Sequence, residues 1–91
     1  LGGIAIRRDL EEEVKKKVER VLRKSVEYAF ADPESSADYV KKHAQEMSVE
    51  VRKKHIELYV NSFSVDLGDA GRKAIHEMFR IIGQNDRNIF I

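Results

Sequence analysis

The residues of this chain that could do chemistry are concentrated between positions 43 and 68, in HAQEMSVEVRKKHIELYVNSFSVDLG. Helix packing explains the apolar residues of this segment but does not require its polar ones. Imidazole, carboxylate and hydroxyl groups are the usual general bases and nucleophiles, so the segment raises the possibility of acid–base or hydrolytic chemistry. The polar residues in question are His43, Gln45, His55, Asn61, Ser64 and Asp66.

A hydrolytic triad is poorly supported by these residues. It would have to combine Ser25 or Ser64 with His55 and Asp66, and only an assumed geometry brings them together. No G-x-S-x-G motif is present to place a serine on a nucleophile turn. We therefore assign no catalytic residue to this chain.

Metal and phosphate sites are also disfavoured. The three histidines His43, His55 and His76 fall on three separate predicted helices, and there is no cysteine. A zinc site requires three or four ligands with helical or loop spacing, so we predict no metal site. Gly2 and Gly3 precede a predicted strand, whereas phosphate-binding glycines follow a strand and open a helix. Adjacent glycines do allow close approach by another backbone or a ligand, of which backbone packing is the simpler interpretation.

Composition limits the remaining functions. Ninety-one residues allow one small domain with a modest core. A net charge of +1 gives no basic field, so we expect neither nucleic acid nor a membrane surface as a partner. The absence of cysteine fits a reducing cytoplasm, and no apolar run is long enough to span a bilayer. The chain has no initiator methionine, so we expect it to begin partway through a longer product.

The predicted fold is mostly α, with one N-terminal strand and about four helices. LGGIAI lacks polar alternation and reads as a strand covered on both faces. Apolar residues at three- and four-residue spacing predict helices over 10–31, 33–46 and 49–61, followed by a last helix that ends at Gly83. Residues with short polar side chains are predicted to cap helices or fix their junctions. These are Asp9, Asp32, Ser48, Asn61 and Asp66.

Two functions are compatible with these elements alone. The chain could be part of a larger α/β protein, because a buried strand needs partners that residues 1–91 do not supply. It could instead be a free-standing helical interaction module that associates with a partner, or with itself through the LGGIAI edge.

Three stretches of the sequence carry a family resemblance. LGGIAIRR, RKSVEYAFADPESSADYVKKHAQEM and HIELYVNSFSVDLGDAGRKAI together resemble the C-terminal portion of the 1,4-dihydroxy-6-naphthoate synthase family, of the futalosine route to menaquinone. The resemblance extends from Leu1 to about Phe79 and leaves 80–91 as an unassigned tail. A more distant similarity is to chorismate dehydratase of the same pathway.

The resemblance implies a C-terminal fragment of one lobe of a cytoplasmic, two-lobed α/β enzyme like type II periplasmic binding proteins. Such lyases convert cyclic dehypoxanthine futalosine to 1,4-dihydroxy-6-naphthoate without a metal or organic cofactor. The proposed proton acceptor of the family is a histidine that precedes LGG, so no histidine of this chain corresponds to it. Gly2 and Gly3 are the candidates for lining the substrate cleft. The implied partners are the remainder of the enzyme and its small-molecule substrate, and we expect this chain to be inactive alone.

Overall fold

The computed structural model describes residues 3–45, 48–85 and 89–90, and all regular structure in these ranges is helical. A 3-10 turn, Pro33–Ser36, lies between the first two α-helices. The α-helices are α1 Glu12–Ala31, α2 Ala37–His43, α3 Val49–Tyr59, α4 Ser62–Val65 and α5 Gly68–Ile82.

The predicted N-terminal strand is wrong. Residues 3–7 have no regular structure, Ile4 is 82% exposed, and Leu1 and Gly2 lie outside the described residues. A strand is defined by hydrogen bonds to a second strand, and the described ranges contain none that Ile4 and Ile6 could join. The fold class is therefore corrected from a helical piece with one strand, part of an α/β periplasmic-binding-protein-like fold, to an all-helical chain over these residues.

Helix α1 begins two residues later than predicted, because Asp9 has a different partner. The Arg7 guanidinium donates to both carboxylate oxygens of Asp9, with Nε 3.0 Å from Oδ1. Glu11 occupies the N-cap position without a side-chain cap. Lys15 turns back over this end, where Nζ donates to the Arg8 carbonyl at 3.2 Å and pairs with Glu12.

The helix predicted over 33–46 is divided by the 3-10 turn. Asp32 makes no side-chain cap, and it is the Asp32 carbonyl that accepts from the Ser35 amide at 3.1 Å and the Ser35 hydroxyl at 2.6 Å. The hydroxyl competes for a backbone acceptor and so tightens this turn. Helix α2 follows it and ends at His43, while residues 46 and 47 lie outside the described ranges.

The later helices start and stop close to the predicted signals. The Ser48 hydroxyl accepts from the Val51 amide at 3.4 Å at the start of α3. Helix α3 ends at Tyr59, and the short α4 occupies part of the predicted turn before α5. Gly83 ends α5 in the left-handed conformation, with φ 72°, as predicted. The Gln84 amide then reaches the Phe79 carbonyl at 3.0 Å, as in a Schellman motif.

The chain is much more open than a closed domain of its size. Its accessible surface is 8129 Å², whereas roughly 5,400 Å² is expected for a compact protein of this mass. The radius of gyration is 15.7 Å, against about 12 Å for a compact domain. Helix α1 packs against α4 and the 3-10 turn, yet no described residue is fully buried. None of the described helices is long and apolar enough to cross a membrane.

Candidate functional site at the helix junctions

The main side-chain contact between distant segments joins α1 to the loop before α5. Arg23 of α1 donates from a terminal guanidinium nitrogen to Asp66 Oδ2 at 3.2 Å, across 43 positions of sequence. The other carboxylate oxygen, Oδ1, accepts from the Gly68 amide at 2.9 Å. Asp66 therefore holds the first turn of α5 with one oxygen and α1 with the other. We call these three residues the Asp66 junction.

The electrostatics of the Asp66 junction favour a structural role. The Gly68 amide and, next, the Arg23 guanidinium hold the pKa of Asp66 below its usual value, and Arg72 adds to the effect. A carboxylate with a lowered pKa stays ionised at neutral pH and is a weak proton acceptor. The side chains of Arg23 and Asp66 are 40% and 60% exposed, so the ion pair itself is screened by water.

Asn61 forms a reciprocal cap one turn earlier. Its side-chain oxygen accepts from the Phe63 amide at 3.0 Å, and the Ser64 hydroxyl accepts from the Asn61 amide at 3.1 Å. Asn61 and Ser64, two of the three polar residues singled out in NSFSVD, are thus bonded to backbone at the α3–α4 turn. Neither side chain is positioned as a nucleophile, because each one accepts a hydrogen bond from a backbone amide at a helix end.

Two glycines shape the start of α5. Gly68 has φ 62°, a conformation that costs a residue with a side chain roughly 1 kcal/mol or more. Gly71 gives room to the Leu67 side chain, since a Cβ at position 71 would lie 2.6 Å from Leu67 Cγ. The two glycines therefore allow a tight turn in which the Leu67 side chain lies against the first turn of α5.

Each of the three histidines lies against an aromatic ring on its own helix or on the tail. Ring centroids are 4.4 Å apart for His43 and Tyr39, and 4.7 Å apart for His55 and Tyr59. His76 meets Phe90 edge to face at 5.3 Å. No group of three potential metal ligands occurs in the described part of the chain.

An open cleft of about 400 Å³ lies between α2 and α3, beside the HAQEM segment. Gln45, Arg52 and His55 are its polar members, and they lie at its margin with aliphatic neighbours. The remaining lining residues are Val40, Ala44, Val51 and Ile56. A cleft of this composition can accept an apolar group, but it contains no pair of acid and base groups.

Gly3, one of the two predicted substrate-cleft residues, belongs neither to the Asp66 junction nor to the cleft between α2 and α3. Gly2 lies outside the described residues, and Gly3 is exposed, with nothing within 4 Å of where a Cβ would stand. Their contact with a substrate stays a prediction.

Sequence reasoning did not identify the partners of the tail or of Asp66. Phe90 returns to α5, where the Arg72 guanidinium carbon lies 4.6 Å above its ring. Arg23 and Arg72 both belong to charged helix faces, which a periodicity argument assigns to solvent. Only the three apolar residues that end the chain, Ile89, Phe90 and Ile91, indicated that the tail could dock.

Comparison with known proteins gives a consistent result. The profile of the family described as menaquinone biosynthesis matches residues 1–84. A 1,4-dihydroxy-6-naphthoate synthase of Thermus thermophilus is 46% identical over 79 residues, which are 87% of this chain and 29% of that protein. The enzyme of the same name from Streptomyces coelicolor is 47% identical over 75 residues, or 82% of this chain and 27% of that protein. This chain thus spans less than a third of the length of these relatives. No solved structure gives a significant match.

Proposed function

Because the chain belongs to the menaquinone-biosynthesis family, we propose that it forms the C-terminal part of a 1,4-dihydroxy-6-naphthoate synthase. The single observation that carries the proposal is the identity with two enzymes of that name over most of this chain. Since those enzymes are more than three times as long as the matched region, the activity proposed is that of the whole enzyme and not of these residues alone.

The reaction proposed for the whole enzyme is the one that the family resemblance implies. It is a lyase step of the futalosine route, in which cyclic dehypoxanthine futalosine is cleaved to 1,4-dihydroxy-6-naphthoate in the cytoplasm. No metal or organic cofactor is invoked, and Gly2 and Gly3 remain the candidates for contact with the substrate.

The proposed contribution of this chain is structural. Its polar signature residues bond to helix ends, as Asn61 does with Phe63 and Asp66 with Gly68. A general base would need a basic group in reach of a substrate proton, and the lowered pKa of Asp66 makes this carboxylate a poor candidate. We therefore assign proton transfer to the part of the enzyme outside the matched region.

Turnover tests this proposal. The purified 91-residue chain should give no product above background from cyclic dehypoxanthine futalosine. The same chain mixed with the remainder of the Thermus thermophilus relative, produced without its matching region, should give measurable product. Turnover by the 91 residues alone would contradict the structural role, and no turnover by the mixture would contradict the synthase assignment.

An independent interaction module is the second candidate, because large apolar side chains stay exposed on several helices. Leu58 and Ile81 are each 69% exposed. Such a module should be a monodisperse monomer or dimer that unfolds cooperatively, whereas a piece of a larger enzyme should aggregate or melt without a sharp transition. Light scattering and thermal melting of the purified chain distinguish the two.

A further inference from the structure

One row of α1, four apolar residues and a serine, leaves its apolar side chains partly exposed to water. Its members recur at alternating four- and three-residue spacing, which places them on a single line along the helix. We call this row the α1 seam. It consists of Val14, Val18, Val21, Ser25 and Tyr28.

Two members of the seam, Val21 and Tyr28, are the most exposed large apolar residues of α1. Val21 is 59% exposed and Tyr28 is 63% exposed, although α1 is a well-formed helix of 20 residues. Val26 and Ala29, on the neighbouring face, are half-buried. Apolar area left in water is unfavourable by about 25 cal/mol for each Å², so the open row is a cost to the isolated chain.

The internal contacts of α1 leave the seam on the outside. Arg23, which pairs with Asp66, lies about 160° around the helix from Val21 at 3.6 residues per turn. Since Asp66 directly follows α4, the Asp66 junction and the packing of α1 on α4 leave the seam side open. The charged groove formed by Lys16, Glu19 and Arg20 with Arg23 also lies away from the seam.

The amount of open surface identifies the kind of partner. The chain exposes roughly 2,700 Å² more than a compact protein of its mass. A standard protein interface covers only about 800 Å² on each partner, whereas permanent interfaces are larger and more apolar. This excess belongs to the whole chain, of which the seam is one part, and it is larger than a transient docking site would leave open.

We propose that the α1 seam packs into an apolar groove on the part of a 1,4-dihydroxy-6-naphthoate synthase that lies outside the matched region. The inference rests on the proposed function and adds the surface through which this chain joins the enzyme. More than 70% of each relative lies outside the match, which is ample to cover the seam. A second copy of this chain would also cover the seam, but the part of the enzyme outside the matched region would then have no contact with α1.

The test measures binding of the 91-residue chain to the remainder of the Thermus thermophilus or Streptomyces coelicolor relative, each produced without its matching region and used only when its circular dichroism and solution mass show a folded protein. Val21→Glu places a carboxylate in the seam and should weaken binding at least tenfold. Arg20→Glu introduces the same residue one position away, on the charged face, and should stay within about twofold of the unchanged chain. Because Val21 is already 59% exposed, the helical circular dichroism of both variants should match that of the unchanged chain.

The outcomes separate this inference from the proposed function. If the mixture turns over substrate and Val21→Glu binds as tightly as the unchanged chain, the seam is wrong and the synthase assignment stands. If the unchanged chain neither binds nor restores turnover with either remainder, both fail. If Val21→Glu dissociates a homodimer of this chain and no remainder binds, the seam joins two copies and the proposal is overturned.

Discussion

Replacing Gly68 by L-alanine isolates the cost of one backbone conformation at the start of α5. Gly68 has φ 62°, and a Cβ at this position would meet no atom within 4 Å. Steric clash therefore contributes nothing, and the whole effect is the penalty for an L-residue in the left-handed region, about 1 to 2 kcal/mol. D-Alanine favours positive φ and narrows the unfolded ensemble, so it should stabilise by about 0.4 to 1 kcal/mol.

The two variants differ only in chirality, so each controls for the added methyl group. Chemical ligation gives both, and amide exchange at the start of α5 measures the free energy of local opening there. We expect these amides to exchange faster in the L-alanine chain than in the glycine chain, and slower in the D-alanine chain. Equal exchange in the two isomers, or slower exchange in the L-alanine chain than in the glycine chain, would refute the left-handed assignment of Gly68.

Three further predictions concern the helix starts. Ser48→Ala should destabilise α3 by about 1 kcal/mol because it removes the acceptor for the Val51 amide. Ser25→Ala, on the α1 surface, is the control and should have little effect on α3. Residue-level amide exchange measures the stability of α3 in both variants, and equal α3 exchange would contradict the prediction. The pKa of Asp66 is lowered on folding, so its stabilising contribution should be complete above its ordinary value near 3.8 and disappear as the pH falls below it. An acid titration followed by amide exchange at the start of α5 should show this loss, and Asp66→Asn should reduce the pH dependence to the part that Glu77 and its partner Arg80 contribute. Gly71→Ala should displace the Leu67 side chain and so fail to give the gain of about 1 kcal/mol usual for glycine to alanine in a helix. In a Leu67→Ala background the usual gain should return, and an equal effect in both backgrounds would contradict the clash.

The family was the part of the account that sequence alone predicted best. SVEYAF, HAQEM and YVNSFSVDLG are specific in order and spacing, and the comparisons confirm the family that they indicated. Periodicity also located the long helices, because a helix is built from contacts within four residues and its signal is local.

The failures share one physical cause, which is competition from partners that a local pattern cannot reveal. Asp9 pairs with Arg7 instead of capping α1, and the Ser35 hydroxyl takes the Asp32 carbonyl. The strand predicted for LGGIAI depended on a pairing partner, and the described residues supply none. The contact of Arg23 with Asp66 spans 43 positions and is likewise invisible in the spacing of either residue.

The exposed apolar surface of the helices shows what the chain lacks. The described residues form regular helices whose apolar sides are incompletely covered, as Val21 and Leu58 illustrate. Helices of this kind obtain most of their stability from tertiary packing and not from intrinsic propensity. We therefore infer that the chain forms its helices as it would in the whole enzyme, and that its hydrophobic core is completed only by the rest of that enzyme.

Hydrogen exchange of the α1 amides shows whether α1 depends on the rest of the enzyme for its stability. The 91-residue chain is measured alone and then with a saturating amount of the remainder of the Thermus thermophilus relative. We expect fast exchange throughout α1 in the isolated chain and at least tenfold slower exchange in the mixture. The slowing should be greatest for the amides between Val14 and Tyr28. Slow exchange of α1 in the isolated chain, or the same exchange in both samples, would contradict this expectation.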